Sequence, residues 1–65
     1  MNRAKLRGII AERDMSMREV AKELNMSEKT FYNKMKKGVF GTDEAEAMVV
    51  LLEISDPASV FLASE

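Results

Sequence analysis

The chain has no cysteine and no histidine. The first absence excludes a disulfide framework and thiolate metal sites. The second removes the commonest general base and metal ligand. Three glycines and one proline leave no room for a glycine-rich phosphate loop or a flexible linker. No apolar run approaches the ~18 residues that a membrane helix requires. Arg3, Lys5 and Arg7 interrupt the N-terminus, so it lacks a signal-peptide layout. The expectation is a cytoplasmic, non-enzymatic protein with no cofactor, no metal, no membrane partner and no small-molecule ligand. The carboxylate pairs Asp43–Glu44 and Glu44–Glu46 read as helix N-terminal charges rather than as catalytic acids.

What is present is a small, apolar, unevenly charged chain. Sixty-five residues make a single domain, 1–65, and 46% apolar residues are ample for a core. So short a chain buries little surface, so efficient helix packing or a partner subunit is expected. The net charge of −1 hides a segregation. All ten Lys and Arg lie between Arg3 and Lys37, among five acids, a net of +5. From Gly38 to Glu65 there are six acids and no base. Positive charge attracts phosphate locally, because salt screens it beyond a Debye length of ~10 Å. The basic half therefore suits a polyanion and the acidic half should face away from it. The alternative is ordinary solvated helix faces.

The centre of the chain is written in helix-capping grammar. Ser16 precedes a helical pattern, with Glu19 placed to close a capping box. Ser27 repeats the signal eleven residues later. A Met precedes each cap, so Met15 is placed to staple Val20 and Met26 to staple Phe31. Between the two helices lies only Asn25-Met26-Ser27, and Asn tolerates the left-handed backbone that a sharp turn needs.

Five helices are expected. The first spans about 2–13, with Leu6, Ile9, Ile10 and Arg13 at helical spacing. Gly8 inside it implies close approach of another helix. The second spans 17–24 and buries Met17, Val20, Ala21 and Leu24. The third spans about 28–36 and buries Phe31 and Met35. Gly38 suits a left-handed C-cap, and Phe40 plugs the core from a loop. The fourth starts near Thr42 or Asp43, with Asp43 and Glu46 as a second capping box, and ends near Glu53. In the fifth, about 57–63, Asp56 caps and Pro57 takes the first helical position. The run Ala47–Leu52 also fits a buried strand, but strong caps and the lack of a pairing strand favour helix. Helix 4 is apolar all round and needs cover on every side. Val50, Leu51, Val60, Phe61 and Leu62 are expected to form a dimer interface; the alternative is that helix 5 folds back and covers them within one chain.

Ala21, Leu24, Asn25, Met26, Ser27, Thr30 and Phe31 resemble the A-x-x-L-G-[VI]-S-x-x-T-[IL] pattern of the phage Cro and lambda-repressor-like helix-turn-helix family. Leu6, Ile9, Arg13 and Met15 resemble that family's first helix and following loop, and Asp43 to Phe61 its last two helices. The chain departs from the pattern at three places. Met17 stands where the family often has a Gln that contacts phosphate, Asn25 replaces Gly, and Lys34 takes an apolar position. The resemblance implies an all-α, compact five-helix DNA-binding domain, closest to short Cro-like phage or prophage regulators. It implies a repressor that binds double-stranded DNA at a palindromic operator as a homodimer and acts by occlusion.

With Phe31 and Met35 inward, the third helix shows Lys29, Tyr32, Asn33 and Lys36, with Glu28 at its start. Glu28, Lys29, Tyr32 and Asn33 form a base-reading set: Asn pairs with adenine, Lys donates to guanine, Glu accepts from cytosine and Tyr touches a thymine methyl. Each has a plainer alternative. Glu28 complements the helix dipole, Lys29 contacts phosphate, and Tyr32 packs sideways onto helix 2. Backbone contacts are expected from Arg18, Ser27, Lys34, Lys36 and Lys37, with Arg3, Lys5 and Arg7 either reaching phosphate or simply solvated. The competing function is a protein-interaction module, an antirepressor or accessory subunit, that keeps the fold without binding DNA.

Overall fold

The computed structural model describes residues 1–63; Glu65, the last of the six C-terminal acids, lies outside the described residues. Five helices follow one another: α1 (Arg3–Glu12), α2 (Met17–Glu23), α3 (Glu28–Lys37), α4 (Thr42–Leu51) and α5 (Pro57–Phe61). No strand occurs among the described residues, and Ala47–Leu51 is helical. The domain measures 25 × 23 × 20 Å.

The starts of α1 to α4 follow from local donor–acceptor matches. Asn2 accepts from the Lys5 N–H at 3.1 Å and caps α1. Ser16 accepts from the Glu19 N–H at 3.1 Å, while Glu19 accepts from the Ser16 N–H at 2.9 Å, so the expected capping box is complete. Ser27 accepts from the Thr30 N–H at 3.1 Å. At α4 the expected Asp43–Glu46 box is replaced. The helix starts at Thr42, within the expected bounds, but its N-cap is Gly41, and Glu44 accepts from the Gly41 N–H at 2.7 Å. Asp56 precedes α5, but its side chain makes no cap hydrogen bond; Pro57 supplies the start instead. The helix ends at Phe61, two residues short of the expected limit.

The helix ends share one device. Asp14, Asn25, Gly38 and Glu53 are left-handed, with φ of 55°, 58°, 71° and 51°. After each, the next N–H reaches back to a carbonyl in the last turn: Met15 to Ile10 (3.2 Å), Met26 to Ala21 (3.0 Å), Val39 to Lys34 (3.1 Å) and Ile54 to Val49 (3.0 Å). This is the Schellman closure, which satisfies carbonyls the helix leaves orphaned. Met15 and Met26 thus end one helix and precede the cap of the next, and both pack half-buried against the core.

The core draws on every helix: Leu6 and Ile10 from α1, Val20 and Ala21 from α2, Phe31 and Met35 from α3, Met48 from α4 and Val60 from α5, with Leu52 and Ile54 from the α4–α5 connection. Burying side chains as large as Phe31 and Leu6 contributes about 1.5–3 kcal/mol each. Phe40 enters from its loop, its ring 5.4 Å from that of Phe31 and tilted by 51°. Three longer-range ties close the bundle. The Asn2 N–H donates to the Val60 carbonyl at 2.7 Å. The Arg3 Nη1 donates to the Lys36 carbonyl at 2.6 Å. Arg13 donates through Nε to the Leu52 carbonyl at 2.7 Å and through Nη2 to the Glu53 carbonyl at 3.2 Å.

Two expectations about packing fail. Gly8 is not a close-approach position, since a Cβ built there meets nothing within 4 Å. Val60 is fully buried in the single chain, so it has no surface to offer a second subunit. It faces the core because the α5 backbone is pinned to Asn2.

Candidate nucleic-acid interface

The third helix is held from three directions. Phe31 and Met35 anchor its inner face. Arg3 ties its last turn to α1. On the flank towards α4, Lys34 forms an ion pair and hydrogen bond with Glu44. What remains outward is the row Lys29, Asn33, Lys36 and Lys37, all exposed, with Tyr32 half-exposed on the α1 flank. Glu28 is exposed at the start of the helix.

The ten cations divide by what they touch. Lys5 donates to the Ser59 hydroxyl at 2.8 Å, Arg13 and Arg3 to backbone carbonyls, and Lys34 to Glu44. Among the described residues, the side chains of Arg7, Arg18, Lys22, Lys29, Lys36 and Lys37 have no hydrogen-bond or ion-pair partner. Asn33 and Tyr32 have none either. A surface whose donors are unpaired is electrostatically suited to phosphate.

Two of the expected backbone-contacting residues are otherwise employed. Lys34 is half-buried against α4, and its ammonium faces Glu44 rather than solvent phosphate. It occupies an apolar position of the helix period, so its stem packs and its head needs a local counter-ion. The same contact, together with the Gly41 N–H, holds the Glu44 carboxyl below its ordinary range, against the opposing effect of burial. Ser27 caps α3, and its hydroxyl donates to the Thr30 Oγ1 at 2.9 Å, so that proton is not offered to a phosphate.

A shallow groove of about 370 Å³ runs beside the row, lined by Arg3, Arg7, Met17, Tyr32, Asn33, Met35 and Lys36. The four-residue spacing of Arg3 and Arg7 on α1 is the signal for it, but their juxtaposition with Tyr32 and Asn33 depends on how α1 crosses α3. On the acidic half, a second and apolar groove of about 450 Å³ lies between α4 and α5. Val49, Val50, Ala58, Phe61 and Leu62 line it, and Val50 and Leu62 are 79% and 83% exposed. Of the residues expected at a dimer interface, Val50, Phe61 and Leu62 meet there. Leu51 does not line the groove; it is half-buried against the core.

No protein-family model, curated protein or solved structure matches the chain. No helix among the described residues is long and apolar enough to cross a membrane.

Proposed function

We propose that the protein is a sequence-specific regulator that binds double-stranded DNA through α3, in the manner of a Cro-like phage or prophage repressor that occludes its operator. The observation that carries this reading is the outward face of α3. Lys29, Asn33, Lys36 and Lys37 are exposed and their side chains have no hydrogen-bond or ion-pair partner among the described residues, on a helix fixed at its inner face and last turn. A rigid helix with unpaired donors suits the major groove, where an Asn or Lys reads base edges and flanking cations meet phosphate. Arg18, exposed in the first turn of α2, supplies a backbone contact. Glu28, Lys29, Tyr32 and Asn33 remain the base-reading set.

The homodimer belongs to the same proposal. The α4–α5 groove is the surface where a second copy covers Val50 and Leu62. Two recognition helices then meet successive major grooves, about 34 Å apart, on a palindromic site.

The decisive experiment is fluorescence anisotropy of a labelled duplex at about 50 and about 200 mM salt, with wild type and a Lys29→Ala, Asn33→Ala, Lys36→Ala variant. The expected result is binding that weakens steeply with salt and is largely lost in the variant. No binding at the lower salt, or binding indifferent to the three substitutions, overturns the reading. The protein-interaction module then takes its place, with the α4–α5 groove as its surface.

A further inference from the structure

We propose that the groove between α1 and α3 seats a phosphate of the DNA backbone, with Arg7 as the side chain that binds it. The inference rests on the DNA-binding reading and adds a contact surface from α1, outside the two helices that reading uses.

Three observations converge. Among the described residues, the groove is lined by three cations, Arg3, Arg7 and Lys36, drawn from two helices, and by no carboxylate. Arg3 and Arg7 share one face of α1, four residues apart. Arg7 and Lys36 have no acidic partner among the described residues, so both charges are open to a bound anion. The groove is also pre-shaped. The bond from Arg3 to the Lys36 carbonyl fixes the α1–α3 distance on this flank, and Met17 and Met35 give it an apolar floor. Side-chain ordering on binding then falls mainly on Arg7 and Lys36. Finally, Asn33 lines the groove and also stands on the outward row of α3. An anion held here sits directly beside a base-reading side chain, which is where a duplex carries its phosphates. A guanidinium suits the task because its planar fork matches two phosphate oxygens.

The test compares wild type, Arg7→Gln, Arg7→Lys and Lys5→Gln by anisotropy on a random-sequence duplex across a salt series. Lys5→Gln removes the same charge from a different cleft, beside Ser59, and controls for net charge. Arg7 makes no hydrogen bond within the described residues, so Arg7→Gln should melt as wild type does. One phosphate contact contributes about 0.9 to the slope of log affinity against log salt. The advantage of wild type over Arg7→Gln should therefore shrink by about threefold between ~50 and ~200 mM salt. Arg7→Lys should keep the slope, and Lys5→Gln should change it far less. Equal slopes for Arg7→Gln and Lys5→Gln overturn the groove while leaving DNA binding intact. Failure of the wild type to bind at low salt overturns both.

Discussion

The guanidinium of Arg13, at the C-terminal end of α1, donates at 2.7 Å to the carbonyl of Leu52, at the C-terminal end of α4. Its second donor reaches the Glu53 carbonyl at 3.2 Å. One side chain thus satisfies two carbonyls that α4 cannot pair itself and adds positive charge where the helix dipole is negative. Hydrogen bonds to a charged donor contribute about 1.5–3 kcal/mol when well formed. Because Arg13 is partly exposed, Arg13→Ala should destabilise by about 1–2 kcal/mol in urea unfolding. Arg13→Lys should recover only part, since a lysine lacks the fork. Under the proposed DNA-binding function, affinity for a duplex measured well below the melting transition should be unchanged in both.

Gly8 lies inside α1 with open space where its Cβ would be. Nothing in the fold requires a glycine there. Gly8→Ala should stabilise by about 0.5–1 kcal/mol by reducing the freedom of the unfolded chain. For a domain of this size that corresponds to a rise of several degrees in Tm, readable by circular dichroism.

Glu53 holds φ at 51° with a full side chain, in a region where an L-residue is disfavoured by roughly 1–2 kcal/mol. Glu53→Gly should stabilise by about 0.5–1 kcal/mol, and Glu53→Val should destabilise by at least as much. Thermal unfolding of the pair gives the sign directly. The bond from Arg13 is to the Glu53 backbone and survives both changes.

The ion pair between Lys34 and Glu44 makes folding depend on pH. The hydrogen bond from Lys34, then that from the Gly41 N–H, lowers the Glu44 pKa on folding. Such a carboxylate stabilises the fold above its unfolded-state pKa, and the contribution disappears as pH falls through the folded value. The stability difference between wild type and Glu44→Gln should be present at neutral pH and vanish in strong acid. Urea midpoints across that range measure it. A difference that persists in acid would assign the effect to packing instead.

Val50 and Leu62 are exposed hydrophobic side chains on one apolar groove. Leu62→Glu should leave the melting of the monomer nearly unchanged, because the leucine is 83% exposed. It should shift sedimentation from dimer towards monomer if the second copy sits there. Identical sedimentation of wild type and variant removes this groove from the proposed assembly.

The number and order of helices were legible because their signals are local. Ser16 with Glu19, Ser27, Asn25 and Gly38 each act within four residues of themselves. The inward faces of α2 and α3 follow from period alone, so Val20, Phe31 and Met35 are buried as expected. What was not legible depends on long-range geometry. Arg13 reads as one more position of an amphipathic helix until α4 arrives 39 residues later. Lys34 reads as a surface cation until Glu44 is seen beside it. Val60 and Leu62 read alike by composition, and only the pinning of Asn2 to Val60 decides which turns inward. The α4 capping pair was misassigned because Gly41, with no side chain, leaves Glu44 to supply the cap.

The partition of the cations has a consequence for how such a protein changes over time. Arg13 and Lys34 are bound into the scaffold, so replacing them loosens the bundle. Among the described residues, the side chains of Lys29, Asn33, Lys36 and Lys37 make no hydrogen bond or ion pair. The outward face of α3 can therefore be rewritten residue by residue at little thermodynamic penalty. The surface and the frame beneath it can then change independently of each other.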